Sequence, residues 1–185
     1  MERDGANGSK DRAAAAAGTA LAPFSTPWGP GSVVVSGGRL AEVRLPWPGS
    51  VQPVAAEVAG EPTGSGEAAA AAARWAEELD QYFAGRLSPW TADEVGIDGW
   101  EVTPFRRAVY RALLAVPPGA TVSYGELAHM AGAPRAARAV GSAMAANPAP
   151  IVVPCHRVVR ADGSPGRYGE CDGWKVELLR HEGAL

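Results

Sequence analysis

The 185-residue chain carries a formal net charge of −3, with 46% hydrophobic residues and six Trp, a composition ordinary for a soluble protein and sufficient for one sizeable core or two small domains. No apolar run approaches the roughly 20 residues needed to span a bilayer, and two cysteines, Cys155 and Cys171, are too few for a disulfide framework. The charge is uneven: up to Val102 there are 7 Lys+Arg against 14 Asp+Glu, and from Thr103 onward 10 against 6, so the basic C-terminal half is the one expected to meet a polyanion.

Residues 1–23 read as a disordered tail of an intracellular, cytoplasmic protein. The start is charged, and the run Ala13 to Ala17 is too short and too weakly apolar for a signal-peptide core. A small strand-and-helix unit is expected over 24–95. Within it, Ser32 to Ser36 and Arg39 to Leu45 flank Gly37-Gly38, a hairpin signal. Pro46 to Gly66 is rich in Pro and Gly and reads as loop. From Glu67 to Gly85, Trp75, Leu79 and Tyr82 or Phe83 recur at helical spacing and predict an amphipathic helix. This unit holds no constellation of catalytic type and reads as scaffold. Ser88 to Trp100 looks like the connection between halves, with the linker itself placed at 96–102.

The C-terminal unit, 103–185, has a different texture. Thr103 can cap a helix and Pro104 suits its first turn; Phe105, Val109, Leu113 and Val116 then recur until Pro117-Pro118-Gly119 ends the pattern. Tyr124 to Ala131 gives a second helix, and Pro134 opens a third that runs to about Ala146. A pair of helices joined by a short Gly-containing turn is a helix-turn-helix, whose second helix usually meets nucleic acid. Arg135, Arg138 and Ser142 share one face of that helix; Ala136, Val140 and Met144 share the other. The cationic face is otherwise lined with small residues, which suits close approach to phosphates or a narrow groove. Plain packing is the bland alternative. Farther on, Val158 to Arg160 reads as extended, Ser164 to Gly169 as a glycine-rich loop, and Asp172 caps a last helix that Gly183 ends.

Between these elements lies Ile151-Val152-Val153-Pro154-Cys155-His156-Arg157. A cysteine among β-branched residues is usually inert packing. Here an imidazole and a guanidinium follow at once, and both favour the thiolate, the form that attacks carbon. Adjacent side chains do not face each other on a strand or a helix, so His156 can serve Cys155 only if the backbone turns or a water bridges them. With Cys155, His156 and Cys171 as the nearby ligand types, a zinc site is short of donors and no metal is expected.

These residues resemble the O6-alkylguanine-DNA alkyltransferases, also called methylated-DNA–protein-cysteine methyltransferases. Pro154-Cys155-His156-Arg157-Val158 resembles the family's reactive-cysteine signature. It follows Asn147-Pro148-Ala149-Pro150 and Arg138-Ala139-Val140-Gly141 in the family's order and spacing. Ser123 to Ala128 and the Lys175, Leu178, Leu179, Glu182 set also match, so the likeness is strong from Thr103 to Gly183 and looser before it. The resemblance implies an α+β fold, with the small strand-and-helix domain followed by a helical, winged-helix-like C-terminal domain. It implies that Cys155 takes the alkyl group of O6-alkylguanine in double-stranded DNA irreversibly, once per molecule, in a monomer that needs no cofactor, metal or membrane.

The same resemblance implies roles by position. Arg138 fills the space left by a flipped nucleotide, with Arg135 and Ser142 beside it on the DNA. Tyr124 presses on the adjoining phosphate and contacts the lesion base. His156 takes the thiol proton through a water, and Glu182 orients the imidazole. Tyr168, Pro150 and Gly169 belong to the alkyl pocket, while Asn147, Arg157 and Lys175 support the site. Gly169 stands where many members carry serine, and Glu170-Cys171 where small residues are common. A non-catalytic alkyltransferase-like lesion binder is the nearest rival; in that group tryptophan typically replaces the cysteine, and Cys155 argues against it. A Cys-His hydrolase, which would need an oxyanion hole, and a plain helix-turn-helix regulator are the others.

Overall fold

The computed structural model describes residues 18–46, 63–166 and 172–185. It is an α+β protein whose first half is a three-stranded antiparallel sheet, β1 (Thr19–Thr26), β2 (Gly29–Ser36) and β3 (Arg39–Arg44), in that order. Gly37 and Gly38 turn β2 into β3 with φ of 56° and 75°, left-handed values that a two-residue hairpin of matching twist requires. The expected hairpin is therefore present; 19–23, read as part of the tail, belong to β1, and residues 1–17 lie outside the described residues. β1 escapes sequence reading because Ala20, Ala22 and Pro23 are poor strand formers. Its place at the sheet's edge tolerates the proline.

Helix α1 (Gly66–Phe83) covers the sheet, burying Ala68, Ala72, Trp75, Ala76, Leu79 and Tyr82 at helical spacing against Ala20, Ala22, Phe24, Val33, Val35, Leu40 and Val43. The alanines let the backbone come close while Trp75 and Leu79 supply area, each large side chain contributing about 1.5–3 kcal/mol on full burial. Gly85, at φ 89°, ends the helix as expected.

The stretch read as a linker is packed structure. Thr91 caps α2 (Ala92–Val95) with a reciprocal box to Glu94, and a 3₁₀ turn follows at Ile97–Gly99. Trp90, Val95, Ile97 and Trp100 are buried, and Trp100 Nε1 donates to Leu40 O of β3 at 2.8 Å. Polar and turn-forming residues disguised a segment whose aromatic anchors fix it to both halves. Val43 N also donates to Pro148 O at 2.9 Å, so the sheet reaches the loop before the cysteine, and one continuous core runs through both halves.

In the second half, α3 (Pro104–Leu114) starts on Thr103, whose Oγ1 accepts from Arg106 N, with Pro104 at its first position. A capping box between Ser123 and Glu126 starts α4 (Tyr124–Met130). Helix α5 spans Ala137–Ala145, beginning three residues later than read. Ala136 N bonds back to Ala133 O, a turn, and the first α-type bond runs from Val140 N to Ala136 O. Pro134 suits a first helical position as well as a turn, and the bond from Ala136 N to Ala133 O keeps Pro134 and Arg135 in the turn. A parallel pair that was not anticipated, β4 (Val122–Ser123) with β5 (Val158–Val159), braces the far side of the cysteine loop. Helix α6 (Asp172–His181) closes the chain, and Gly183 at φ 74° stops it. No described helix is long and apolar enough to cross a membrane.

Candidate active site

Cys155 opens a 3₁₀ turn, Cys155–Arg157, between the loop after α5 and β5. In 3₁₀ geometry consecutive side chains fan out by about a third of a circle, so Cys155, His156 and Arg157 enter different surroundings. All three are buried. The loop before them is held hard. Ile151 adopts φ 75°, a left-handed conformation costing a β-branched residue on the order of 1–3 kcal/mol. Full burial of its side chain and the bond from Val153 N to Ala149 O at 2.8 Å keep it there.

Asn147 clamps the sulfur. Its Nδ2 donates to Val153 O at 2.8 Å and to Cys155 Sγ at 3.1 Å, while its Oδ1 accepts from Ala149 N at 3.1 Å. Both amide hydrogens thus point at acceptors, and an N–H donor suits a sulfur bearing negative charge better than a neutral thiol.

Behind the cysteine lies a buried ionic network centred on Glu182, one residue past α6. Arg157 donates to it through two nitrogens, Nε to Oε2 at 2.9 Å and Nη2 to Oε1 at 2.8 Å, and sends Nη1 to Val116 O at 2.6 Å. His156 Nε2 lies 2.9 Å from Oε1, and Tyr82 OH donates to the same oxygen at 2.9 Å. A carboxylate at a helix C-terminus faces the negative end of the dipole, so this bidentate arginine is what makes the position tenable. Burial pushes the Glu182 carboxyl up, but the hydrogen bonds from His156 and Arg157 outweigh it and hold it well below the usual carboxylate range.

The state of His156 follows. Burial pulls the imidazole below its ordinary value; Glu182 opposes that shift, while Arg157 and Lys175 add to it. The ring is therefore neutral at pH 7, and because its partner is an ionised acceptor, its one proton sits on Nε2. Nδ1 is then a lone-pair base, buried and without a hydrogen-bond partner among the described residues. A neutral imidazole with its far nitrogen anchored and its near nitrogen open is suited to accept a proton.

Of the remaining expected residues, Lys175 is buried in α6, donates to Val158 O and lies 5.9 Å from the Tyr124 ring centroid. Tyr124 opens α4, half-buried; burial and then the charge of Cys155 push its phenol up. Tyr110 is pushed up to about 12 by burial, against the opposing charge of Arg106 and with a smaller push from Cys155, and it donates to Ala143 O at 2.9 Å. Pro150 is buried in the cysteine loop, bridged to Val153. Arg138 and Ser142 are exposed on α5, and Arg135 is exposed in the turn before it; none of the three joins the buried network. Tyr168 and Gly169 lie outside the described residues.

Sequence reasoning missed Tyr82. It sits on α1, in the half read as scaffold, and its ring satisfied the helical periodicity as plain packing. The one signal available was chemical: a buried tyrosine hydroxyl needs a partner.

Comparison with known proteins points the same way. The model of the 6-O-methylguanine DNA methyltransferase DNA binding domain matches residues 104–184. The methylated-DNA–protein-cysteine methyltransferase of Salmonella typhimurium is 48% identical over 109 residues, 59% of this chain and 62% of that protein. That of Mycobacterium leprae is 49% identical over 105 residues, 57% and 61%. The matched segment therefore spans a little under two thirds of these relatives' length. Among solved structures, Mycobacterium tuberculosis OGT in complex with DNA superposes with a TM-score of 0.68 at 33% identity, over 89% of this chain and 92% of that one. A likeness extending over nearly all of a solved relative, with the family's domain falling on the cysteine, its histidine and the last helix, places this chain in the 6-O-methylguanine DNA methyltransferase family.

Proposed function

We propose that the protein repairs DNA by direct reversal, moving the alkyl group of O6-alkylguanine in duplex DNA onto Cys155 Sγ. The observation that carries this reading is the buried run Cys155, His156, Glu182, with Asn147 donating to the sulfur and His156 Nδ1 open. Nδ1 takes the thiol proton through a bridging water. The thiolate then attacks the alkyl carbon in line, forming the C–S bond as the C–O6 bond breaks, and the guanine leaves with the electron pair and is reprotonated. A thioether is not hydrolysed, so each molecule acts once, with no cofactor or metal. The whole of the reacting unit lies within 103–185, a winged-helix-like domain in which α4 and α5 form the helix-turn-helix, and the sheet-and-helix half before it is its supporting domain.

On the DNA side, Arg138 fills the gap left by the flipped nucleotide, a state that costs a few kcal/mol, less for a damaged base. Its exposed place on α5, next to the small residues Ala139 and Gly141, supports that role. Tyr124 packs within reach of Gly141, where an added Cβ would lie 4.0 Å from its ring, and stands against the phosphate beside the lesion. Arg135 and Ser142 contact phosphates. Tyr168, Pro150 and Gly169 wall the pocket, and the protein works as a monomer.

Mixing the protein with duplex DNA containing O6-methylguanine should place one methyl group on the tryptic peptide ending at Arg157, rising to one equivalent and stopping there. Continued turnover, or label elsewhere, would sink the reading. Arg138→Ala should slow transfer at subsaturating DNA by about tenfold or more, the scale of a 1.4 kcal/mol loss, while Arg135→Ala costs no more than a single phosphate contact. Equal losses in the two variants, compared at two salt concentrations, would remove Arg138 from the gap.

A further inference from the structure

Glu182 Oε1 accepts from three donors, and one of them comes from the other half of the chain. His156 Nε2 lies at 2.9 Å, Arg157 Nη2 at 2.8 Å and Tyr82 OH at 2.9 Å. We infer that Tyr82 is a positioning residue for alkyl transfer: through Glu182 it sets how strongly His156 is held and how basic its open nitrogen is. This rests on the reading of His156 as the group that receives the Cys155 proton.

The bland account is that a buried phenol needs some acceptor. A backbone carbonyl would serve that need, and Tyr82 is fixed well enough to choose. Its side chain is buried on α1, its ring lies 5.1 Å from those of Phe83 and His181, and His181 Nε2 sits 2.8 Å from its carbonyl oxygen. Yet the hydroxyl goes to the oxygen that orients the imidazole. An sp² oxygen has two lone pairs, so three donors divide its charge, and each one withdrawn leaves more for the others. The groups facing the His156–Glu182 pair are Arg157 and Cys155 on the same turn, Lys175 on α6, Tyr82 on α1, and His181 against Tyr82. Tyr82 alone among them is a neutral donor from α1, so its removal changes the bond without adding or removing a charge. Burial, and then the charge of Glu182, push its phenol far above the ordinary range, so it stays protonated throughout the working range.

The test uses the full chain and iodoacetamide, a probe that needs no DNA, scored on the tryptic peptide containing Cys155 from pH 5 to 8. In Tyr82→Phe the imidazole donates to a more negative oxygen and gains a proton more readily, so the acid fall in reactivity should move to higher pH. The variant should match the parent at pH 8 and, on the acid limb itself, react about threefold slower, the ratio for half a pH unit. A 2,3-difluorotyrosine placed at position 82 keeps the shape and donates more strongly, so the fall should move the other way. Phe83→Leu, which loosens the same packing without touching Glu182, should leave it in place. Acid limbs that coincide in the parent and both position-82 variants would reduce Tyr82 to packing. Opposite shifts in a protein that takes no methyl from DNA would uphold Tyr82 and overturn the transfer reading alone.

Discussion

Glu182→Gln should lower stability by roughly 3–5 kcal/mol, the usual cost of removing one partner from a buried ion pair. The carboxylate answers Arg157 Nε and Nη2, His156 Nε2 and Tyr82 OH. A glutamine offers one oxygen and an NH2 group that donates where an acceptor is required. The guanidinium is left buried with a single good partner, the Val116 carbonyl. For a chain of this size that loss corresponds to a fall of about 10 °C or more in melting temperature. It should also remove alkyl transfer, because the imidazole loses both its tautomer and its orientation.

The loss carries a pH signature. A carboxyl held below its unfolded value stabilises the fold fully above that value, 4.5, and gives the contribution up as pH falls through the lower folded one. The gap between parent and variant should therefore be full at pH 7 and shrink below pH 4.5. His156 adds a second effect of the same sign. Its folded value is depressed by burial, so the unfolded chain binds a proton below about pH 6.5 where the folded one does not, and stability declines from there downward. Chemical unfolding of parent and variant at pH 7, 5.5 and 4 measures both. A constant difference across that range would mean that the Glu182 carboxyl is not held below its unfolded value.

What the sequence disclosed depended on how local the cause was. Thr103-Pro104, the stretch Tyr124 to Ala131 and the Gly37-Gly38 turn are signals within a few residues, and each element they mark is present. The pairing of His156 with Glu182 was read only through the family resemblance, carried by Pro154 to Val158 and by the Lys175, Leu178, Leu179, Glu182 set; no local cause marks it. What stayed hidden was settled by distant partners. β1 needs β2 and the bridge from Leu21 to Thr63; the packed segment 90–100 needs Leu40; Tyr82 needs a carboxylate a hundred residues away. The late start of α5 is a different case. Pro134 could open a helix or belong to a turn, and only the bond from Ala136 N to Ala133 O decides.

Cys155→Ala should abolish transfer while leaving recognition of the lesion intact. The side chain is 5% exposed, and its truncation removes one sulfur atom, a change on the order of 1 kcal/mol in a core of this kind. Asn147 keeps its bonds to Val153 O and from Ala149 N, so the loop retains its shape while the amide hydrogen aimed at Sγ loses its acceptor. Arg138, Ser142 and Tyr124 lie on α4 and α5, elements separate from the cysteine turn. The variant should therefore hold O6-methylguanine duplex as tightly as the parent does before transfer. It should hold it longer, since the parent's complex ends when the alkyl group moves. Band-shift half-lives alongside methyl counting separate the two effects. Any methyl appearing on the variant in stoichiometric amount, on Cys171 for instance, would show that another atom can act as acceptor and would break the link between the buried network and the chemistry. A variant that neither binds nor transfers, with its melting curve unchanged, would instead mean that the sulfur itself contributes to holding the flipped base.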